Sequence, residues 1–322
     1  MKNLKLLSGL TVTVMILSMV FHAGASSGNS FKDVKADKWY YGDIMRANAK
    51  GIMTGTSFDM FEPEALMTRE MFVTALNRMS MVTTYYEGLT KYKDVKDGSW
   101  YSASVLWAEK LDVTNGVSND VFGTGQPVTR EQIATFIYRY LNNGIIAAEL
   151  KEDASPEQPF SDKPSRYALE AVEAMRKTGI VKGYGDGRFN PRGYATRAEV
   201  AAILVRLRDA LQVAGYRFNI DPENVSKIDV RWQTADENGV IPKTKSVTDP
   251  SELKRALQYI NSAPITAVAG KEPTNGWKYS LRVYDKSGKY SFGFIIKSDS
   301  AEINNYVYDT EAFKPFIAWI TA

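Results

Sequence analysis

The 322-residue chain is long enough for two or more domains with a sizeable buried core. It contains no cysteine and one histidine, and its 40 Lys and Arg residues nearly balance 37 Asp and Glu residues, for a net charge of +3. This balance argues against nucleic-acid binding through a general basic surface.

The first residues predict a secretory signal peptide over residues 1–25. Lys2 and Lys5 precede an uncharged apolar run from Leu10 to Phe21, and the small residues Ala-Gly-Ala follow as a cleavage signal. The apolar run is too short to span a bilayer as an ordinary transmembrane helix. Cleavage would remove both lysines and His22 and lower the net charge to about +1.

A mature chain without Cys or His has a narrow range of chemistry. It cannot form a thiolate or imidazole metal site, a Ser-His-Asp triad, a Cys-His dyad or a disulfide. It also offers no cysteine for a lipid and no second long apolar run. We therefore expect a secreted, non-enzymatic protein without cofactor or metal, held at the cell surface by non-covalent binding and not by a membrane span.

Three segments share one pattern, in which a Thr-Arg step precedes a run of helical apolar periodicity. An aspartate stands 36, 36 and 35 residues before the arginine in the three copies, and a tryptophan stands 30 residues before it in the first two. The arginines are Arg69, Arg130 and Arg197, the aspartates are Asp33, Asp94 and Asp162, and the tryptophans are Trp39 and Trp100. We predict repeats over residues 31–82, 92–145 and 160–213.

Each repeat predicts two helices joined by a glycine-rich turn. In the first copy, Tyr41, Ile44 and Met45 form the apolar face of the first helix, which ends near Gly51. The turn is clearest as "GYGDGRF" at residues 183–189, where glycine permits a positive φ.

The second helix of each repeat begins at the threonine. Thr196 with Glu199, and Thr129 with Gln132, form capping boxes, whereas Met71 leaves only the threonine cap in the first copy. An apolar stripe at i, i+4, i+7 spacing follows in every copy. Its members are Phe72, Leu76 and Met79, then Ile133, Ile137 and Tyr140, then Val200, Leu204 and Leu207.

The arginine after each threonine is not explained by helix formation. A cation at the first helical position faces the positive end of the helix dipole, which costs about 0.3–1 kcal/mol. Two interpretations remain open: a structural salt bridge to an aspartate of the same or a neighbouring copy, or an anionic ligand bound by the guanidinium groups beside free N–H groups of the helix start.

The repeats resemble the S-layer homology (SLH) repeat of bacterial cell-surface proteins. The resemblance rests on the aromatic-x-Asp entry, the tryptophan, "GIVKGYGDGRFNP" and "TRAE", and it covers roughly Phe31 to Leu211. It implies an all-α, pseudo-threefold helical bundle whose inter-repeat grooves bind a secondary cell-wall polysaccharide, often bearing a pyruvate ketal. Peptidoglycan-associated glycan and other surface proteins are further candidate partners.

The resemblance also implies which residues contact or shape the ligand site. They are the arginines Arg69, Arg130 and Arg197, the entry acids Asp33, Asp94 and Asp162, the turn glycines Gly55, Gly116 and Gly183, and the tryptophans Trp39 and Trp100. A tryptophan there either stacks on a sugar or belongs to the core.

The second and third copies depart from the family pattern at three places. Tyr167 replaces the tryptophan in the third copy, and in the second copy Leu111 replaces a glycine and Gly123-Thr124 replaces the usual residue-Pro.

Residues 217–322 predict a small α+β domain with an antiparallel sheet. Alternation places Ile228, Val230 and Trp232 on one strand face, and Leu253, Leu257 and Ile260 form a helical stripe. Ser287-Gly288 marks a hairpin between two further strands, "INNYVYD" reads as another strand, and residues 311–320 read as a closing helix.

The role of the C-terminal domain is not indicated by its residues. Its acids, including Asp229, Asp236, Glu237 and Asp249, stand where strand faces and loops would place them, and nothing sets the spacing of a glycosidase pair. The leading hypothesis is a wall anchor; a wall-tethered hydrolase and an S-layer lattice subunit are the alternatives. Calcium at the Asp186 turn rests on "GDG" alone, a weak motif.

Overall fold

The computed structural model describes residues 31–80, 88–142, 146–147, 150–153, 158–214, 217–236, 239–263, 279–288, 290–296, 301–303, 306–308 and 313–321. The predicted signal peptide lies outside the described residues.

Each repeat supplies two helices, as the periodicity predicts. They are α1 (Tyr41–Ala49) and α2 (Arg69–Met79), α3 (Ser102–Lys110) and α4 (Arg130–Leu141), and α5 (Leu169–Lys177) and α6 (Arg197–Ala214). The three predicted apolar stripes of α2, α4 and α6 are at most 1% exposed. Tyr41 and Met45 are only partly buried, because the face of α1 that enters the core is centred on Ile44 and Ala47.

The predicted helix caps are confirmed. The N–H of Met71 donates to Thr68 Oγ1 at 3.4 Å, and reciprocal bonds join Thr196 to Glu199 at 3.0 and 3.2 Å. Thr129 and Gln132 form the same reciprocal pair. These caps depend on side chains three residues apart, so they can be read from local sequence.

The helices pack in a closed cycle across the repeats. The second helix of each repeat packs against the first helix of the next: α2 against α3, α4 against α5, and α6 back against α1. An ion pair between Arg46 Nη1 and Asp209 Oδ2, 2.8 Å apart, links the last pair. The helices of one repeat therefore find their main partners in other repeats.

A ring of backbone hydrogen bonds joins the three repeats just before α2, α4 and α6. The N–H of Met67 donates to Ala195 O at 2.9 Å, that of Ala195 to Val128 O at 3.2 Å, and that of Val128 to Met67 O at 2.8 Å. All three side chains are at most 1% exposed. The three starts of the second helices are thus held at one place.

The C-terminal part is an α+β arrangement around an antiparallel sheet, as predicted. Its elements are β2 (Arg217–Phe218), β3 (Val225–Asp236), β4 (Gly239–Val247), α7 (Pro250–Ser262), β5 (Tyr279–Asp285), β6 (Tyr290–Ile296), β7 (Ala301–Ile303), β8 (Tyr306–Tyr308) and α8 (Lys314–Thr321). Six strands run in the order β4-β3-β5-β6-β7-β8. β2 pairs instead with β1 (Ile146–Ala147), which lies between the second and third repeats.

Two features of this sheet differ from the sequence prediction. β4 was not predicted, because Pro242 and several polar residues are untypical of a strand. Both are tolerated here because β4 lies at the edge of the sheet. The segment "INNYVYD" is not one strand, since β7 ends at Ile303 and β8 begins at Tyr306.

The inner face of the sheet carries the predicted apolar residues. Ile228, Val230 and the α7 stripe of Leu253, Leu257 and Ile260 are at most 4% exposed, whereas Trp232 is only partly buried. Most of the described buried apolar residues form one connected core from Phe31 to Ile320.

Candidate anion-binding grooves

Each arginine of the Thr-Arg steps reaches into the following repeat of the cycle. The Nε atoms of Arg69, Arg130 and Arg197 donate to the carbonyl oxygens of Phe122, Phe189 and Phe61 at 2.9, 2.7 and 2.8 Å. The three residues are 2%, 5% and 6% exposed. These carbonyls offset the unfavourable helix dipole. The predicted salt bridge to an aspartate is therefore not what holds them.

The backbone N–H groups beside these arginines are not free, which corrects part of the anion-binding hypothesis. Those of Arg69, Arg130 and Arg197 donate to neighbouring carbonyls at 3.0, 3.0 and 2.9 Å. The third N–H of each helix is bonded to its capping threonine. An anion at this place would have to bind the guanidinium groups.

The entry aspartates hold a turn of their own repeat. Asp94 accepts hydrogen bonds of 2.7 Å from the N–H groups of Phe122, Gly123 and Thr124. Asp33 does the same for Phe61 and Glu62, and Asp162 for Phe189 and Asn190. Each aspartate thereby positions the carbonyl that receives an arginine from the preceding repeat.

Two of the predicted turn glycines occupy places where a side chain would collide with backbone. A Cβ at Gly55 would lie 2.5 Å from Ser57 O, and one at Gly116, where φ is +71°, would lie 2.4 Å from Val121 O. Gly183, the third predicted glycine, lines a groove described below.

A groove of about 320 Å³ brings together all three repeats; we call it the Arg197 groove. Repeat 1 supplies the turn from Ile52 to Thr56 and one side of α2, repeat 2 supplies Trp100, and repeat 3 supplies Arg197. Its volume lies within the range of about 300–1,000 Å³ typical of small-molecule sites.

A second groove, of about 360 Å³, is built from equivalent positions; we call it the Arg130 groove. Its turn is Lys182 to Tyr184, its helix is α6, and Trp39 takes the place of Trp100. It differs in containing two carboxylates, those of Glu64 and Glu199.

The two tryptophans are surface residues. Trp39 is 63% exposed and Trp100 is 59% exposed, so the alternative that they belong to the core is wrong. Each lies against the edge of the following tyrosine ring, with centroids 5.3 and 5.2 Å apart. An exposed indole beside a groove is a suitable platform for the apolar face of a sugar.

The arginine of the first repeat lies in a different environment. The guanidinium of Arg69 lies over the rings of Phe122 and Phe136, 5.0 and 5.2 Å from their centroids. Phe136 stands where the other two repeats have Ala75 and Ile203. A large ring therefore occupies the space that is open in the Arg197 groove.

A second set of arginines was missed by sequence reasoning. Arg78 lines the Arg197 groove and Arg206 lines the Arg130 groove, each nine residues after the helix-starting arginine of its own repeat. Arg139 holds the same place in the second repeat. The threefold spacing was present in the sequence and would have revealed the set.

Burial lowers the pKa of Arg197, Arg78 and Arg69 below the ordinary value for arginine. All remain cations at neutral pH, but a desolvated cation gains more from a nearby anion than a solvated one does. The carboxylates of Glu62 and Asp33 partly oppose this effect at Arg197.

Comparison with known proteins assigns the repeats. The S-layer homology domain matches residues 30–70, 91–134 and 159–201. The chain carries three tandem SLH domains. They correspond to the three repeats predicted from the Thr-Arg pattern.

Relatives that match include surface proteins, an anchoring protein and glucanases. A cell surface protein of Thermoanaerobacter kivui is 33% identical over 128 residues, 39% of this chain and 16% of the relative. A cellulosome-anchoring protein of Acetivibrio thermocellus is 24% identical over 172 residues, 51% of this chain and 38% of the relative. An endoglucanase of Bacillus sp. strain KSM-635 is 24% identical over 304 residues, 91% of this chain and 29% of the relative.

The chain thus spans well under half the length of these relatives. Its SLH domains are binding and anchoring modules and indicate a cell-surface or cell-wall location. Within the described residues, no helix is long and apolar enough to cross a membrane, and no cluster of three or more His, Cys, Asp or Glu could hold a metal ion. Asp186, the candidate calcium ligand, pairs with Arg188 at 2.6 Å.

Proposed function

We propose that this protein is anchored non-covalently to the cell wall through its SLH domains, which bind a secondary cell-wall polysaccharide bearing pyruvate carboxylates. The observation that carries the proposal is the Arg197 groove. It combines two guanidinium groups with an exposed indole, a pairing that suits an anionic sugar.

The proposed ligand contacts divide the predicted residues into two groups. Arg197, Arg130, Trp39 and Trp100 contact the sugar, and Gly55 and Gly183 let it approach the turn backbone. Asp33, Asp94, Asp162 and Gly116 act indirectly, by holding the turns. Arg69, which lies between two phenylalanine rings, has a structural role in this scheme.

The equivalent contacts around the cycle support a pseudo-threefold bundle. Helix pairing, the central backbone ring and the arginine-to-carbonyl bonds each recur once per repeat. Linked grooves on one rigid unit would bind a repetitive polymer more tightly than a single groove would.

In this proposal the C-terminal domain has no enzymatic role and is displayed at the wall. A tethered hydrolase is the second candidate, because the endoglucanase match extends over 91% of the chain. Zymography of the full-length protein on wall material separates the two. A cleared zone would support the hydrolase, and its absence would support the anchor.

The test of anchoring is sedimentation with purified wall sacculi. Intact sacculi should retain the protein, and sacculi chemically stripped of the secondary polysaccharide should not. Equal retention by both would contradict the proposal. Ordered sheets of the free protein under negative-stain microscopy would instead favour an S-layer lattice subunit.

A further inference from the structure

Arg130 and Arg197 have different hydrogen-bond and ion-pair partners in the two grooves. In the Arg130 groove, Nε donates to Phe189 O, Nη2 donates to Lys182 O at 2.7 Å, and Nη1 lies 3.6 Å from Glu199 Oε1. In the Arg197 groove, Nε donates to Phe61 O and Nη2 to Thr54 O at 2.8 Å. Within the described part of the chain, Nη1 of Arg197 has no partner.

Whether Nη1 has a carboxylate partner depends on the third residue of the second helix in the repeat that supplies the turn. Glu199 stands there in repeat 3, and Met71 stands there in repeat 1. Glu199 also accepts a hydrogen bond of 3.1 Å from Tyr184, whose ring lies 4.6 Å from the guanidinium carbon of Arg130. Thr56 takes the place of Tyr184 in the Arg197 groove, and no acid of the described ranges lines that groove. Among the described residues, the guanidinium carbon of Arg197 therefore lies over one ring, that of Phe61 at 4.5 Å, whereas that of Arg130 lies over two.

The two grooves also differ in the charged residues that line them. The Arg197 groove contains the cations Arg78 and Arg197 and no carboxylate. Arg78 makes no hydrogen bond or ion pair with any residue that the structure describes. The Arg130 groove has three cations, Arg130, Lys182 and Arg206, but also the carboxylates of Glu64 and Glu199.

We propose that the Arg197 groove is the carboxylate-binding groove of this chain, with Arg197 and Arg78 as its two cationic contacts, and that Glu199 suppresses anion binding in the Arg130 groove. The ligand class is a sugar bearing one carboxylate. This inference rests on the proposed function and adds which groove binds the charge and why.

The test exchanges the charge at this helix position between the two grooves. Binding of native wall polysaccharide, and of the same polymer after chemical reduction of its carboxyl groups, is measured by calorimetry with the full-length protein. Met71→Glu is compared with Met71→Gln, since either side chain can complete a capping box and they differ only in charge. We expect at least tenfold weaker binding of native polymer by Met71→Glu than by Met71→Gln.

The reciprocal variant is Glu199→Gln, which keeps the capping box and removes the carboxylate. We expect it to strengthen binding of native polymer or to raise the number of sites, and to leave binding of reduced polymer unchanged. Thermal unfolding verifies that all variants are folded.

The outcomes separate this inference from the proposed function. If the wild type binds native polymer but Met71→Glu and Met71→Gln bind alike, the groove assignment is overturned while the anchor stands. If the wild type binds native and reduced polymer equally, the carboxylate is not recognised and the assignment also fails. If the wild type binds neither polymer, the proposed function itself is wrong.

Discussion

Arg197 donates from Nε to the carbonyl oxygen of Phe61, 2.8 Å away and 136 residues earlier in the chain. The bond joins the last SLH domain to the first, and its two equivalents join the other domains in turn. A residue type that suggests ligand binding is therefore also part of the framework of the bundle. Substitutions at these arginines have to be interpreted with both roles in mind.

Arg69→Ala should destabilise the protein without weakening ligand binding. The change removes the bond to Phe122 O and leaves a gap between Phe122 and Phe136, for a loss of about 2–4 kcal/mol in the free energy of unfolding. Urea unfolding at neutral pH measures it. Arg166→Ala, at an exposed arginine, is the control and should change stability by less than about 0.5 kcal/mol. Equal losses would contradict the structural role.

Asp94→Asn should lower stability at neutral pH and reduce its dependence on acid. Burial alone would raise the pKa of Asp94, but hydrogen bonds from the N–H groups of Thr124, Phe122 and Gly123 outweigh it, and the pKa is lowered. Because the folded-state pKa lies below the unfolded value of about 3.9, the charged carboxylate stabilises the fold above about pH 4. That stabilisation is lost as the pH falls from there through the folded-state pKa.

The measurement for Asp94 is the free energy of unfolding between pH 7 and pH 2. We expect Asp94→Asn to cost about 1–3 kcal/mol at pH 7 and progressively less below pH 4. Asp37→Asn, at an exposed acid, should follow the wild type across this range. A constant difference between wild type and Asp94→Asn at all pH values would show that the carboxylate charge is not responsible.

Trp100→Ala should weaken binding of wall polysaccharide by about 3- to 10-fold, the usual size of one aromatic stacking contact. Since Trp100 is 59% exposed, the melting temperature of the variant should remain close to that of the wild type. Calorimetry against the native polymer measures the effect. Tyr167→Phe, which loses a 3.1 Å bond to Glu131 but lies away from the Arg197 groove, should bind like the wild type.

Ala75→Phe should close the Arg197 groove. Phe136 occupies the equivalent position beside Arg69, so the substitution copies an arrangement that the bundle already accommodates. We expect binding of native polysaccharide to fall at least tenfold, with little change in circular dichroism. Ile203→Phe, at the same position of the Arg130 groove, is the matched variant. A larger loss of binding in Ile203→Phe than in Ala75→Phe would reverse the assignment of the two grooves.

The sequence predicted those features that depend on neighbours three or four residues apart. The capping threonines and the buried stripes of α2, α4 and α6 are of this kind, because helical periodicity determines which side chains share a face. The presence of three repeats followed from the recurrence of the Thr-Arg step, which needs no knowledge of packing.

Features that depend on distant parts of the chain could not be predicted. Nothing near Arg130 in sequence indicates that its partners would be Phe189 and Lys182, more than 50 residues away. The amide partners of the entry aspartates lie 27 to 30 residues further on, a pairing that no local pattern in the sequence indicates. The exposure of Trp39 and Trp100 likewise depends on where the other repeats leave space.

The closed cycle of helix packing has a consequence for the synthesis of this protein. The partner of α1 is α6, and the ion pair between Arg46 and Asp209 spans 163 residues. Because the chain is synthesised from its amino terminus, the apolar face of α1 around Ile44 is not covered by α6 until the third SLH domain has left the ribosome. A truncated chain ending before that point would retain an uncovered apolar surface, and it should be recognised by chaperones and proteases as unfinished.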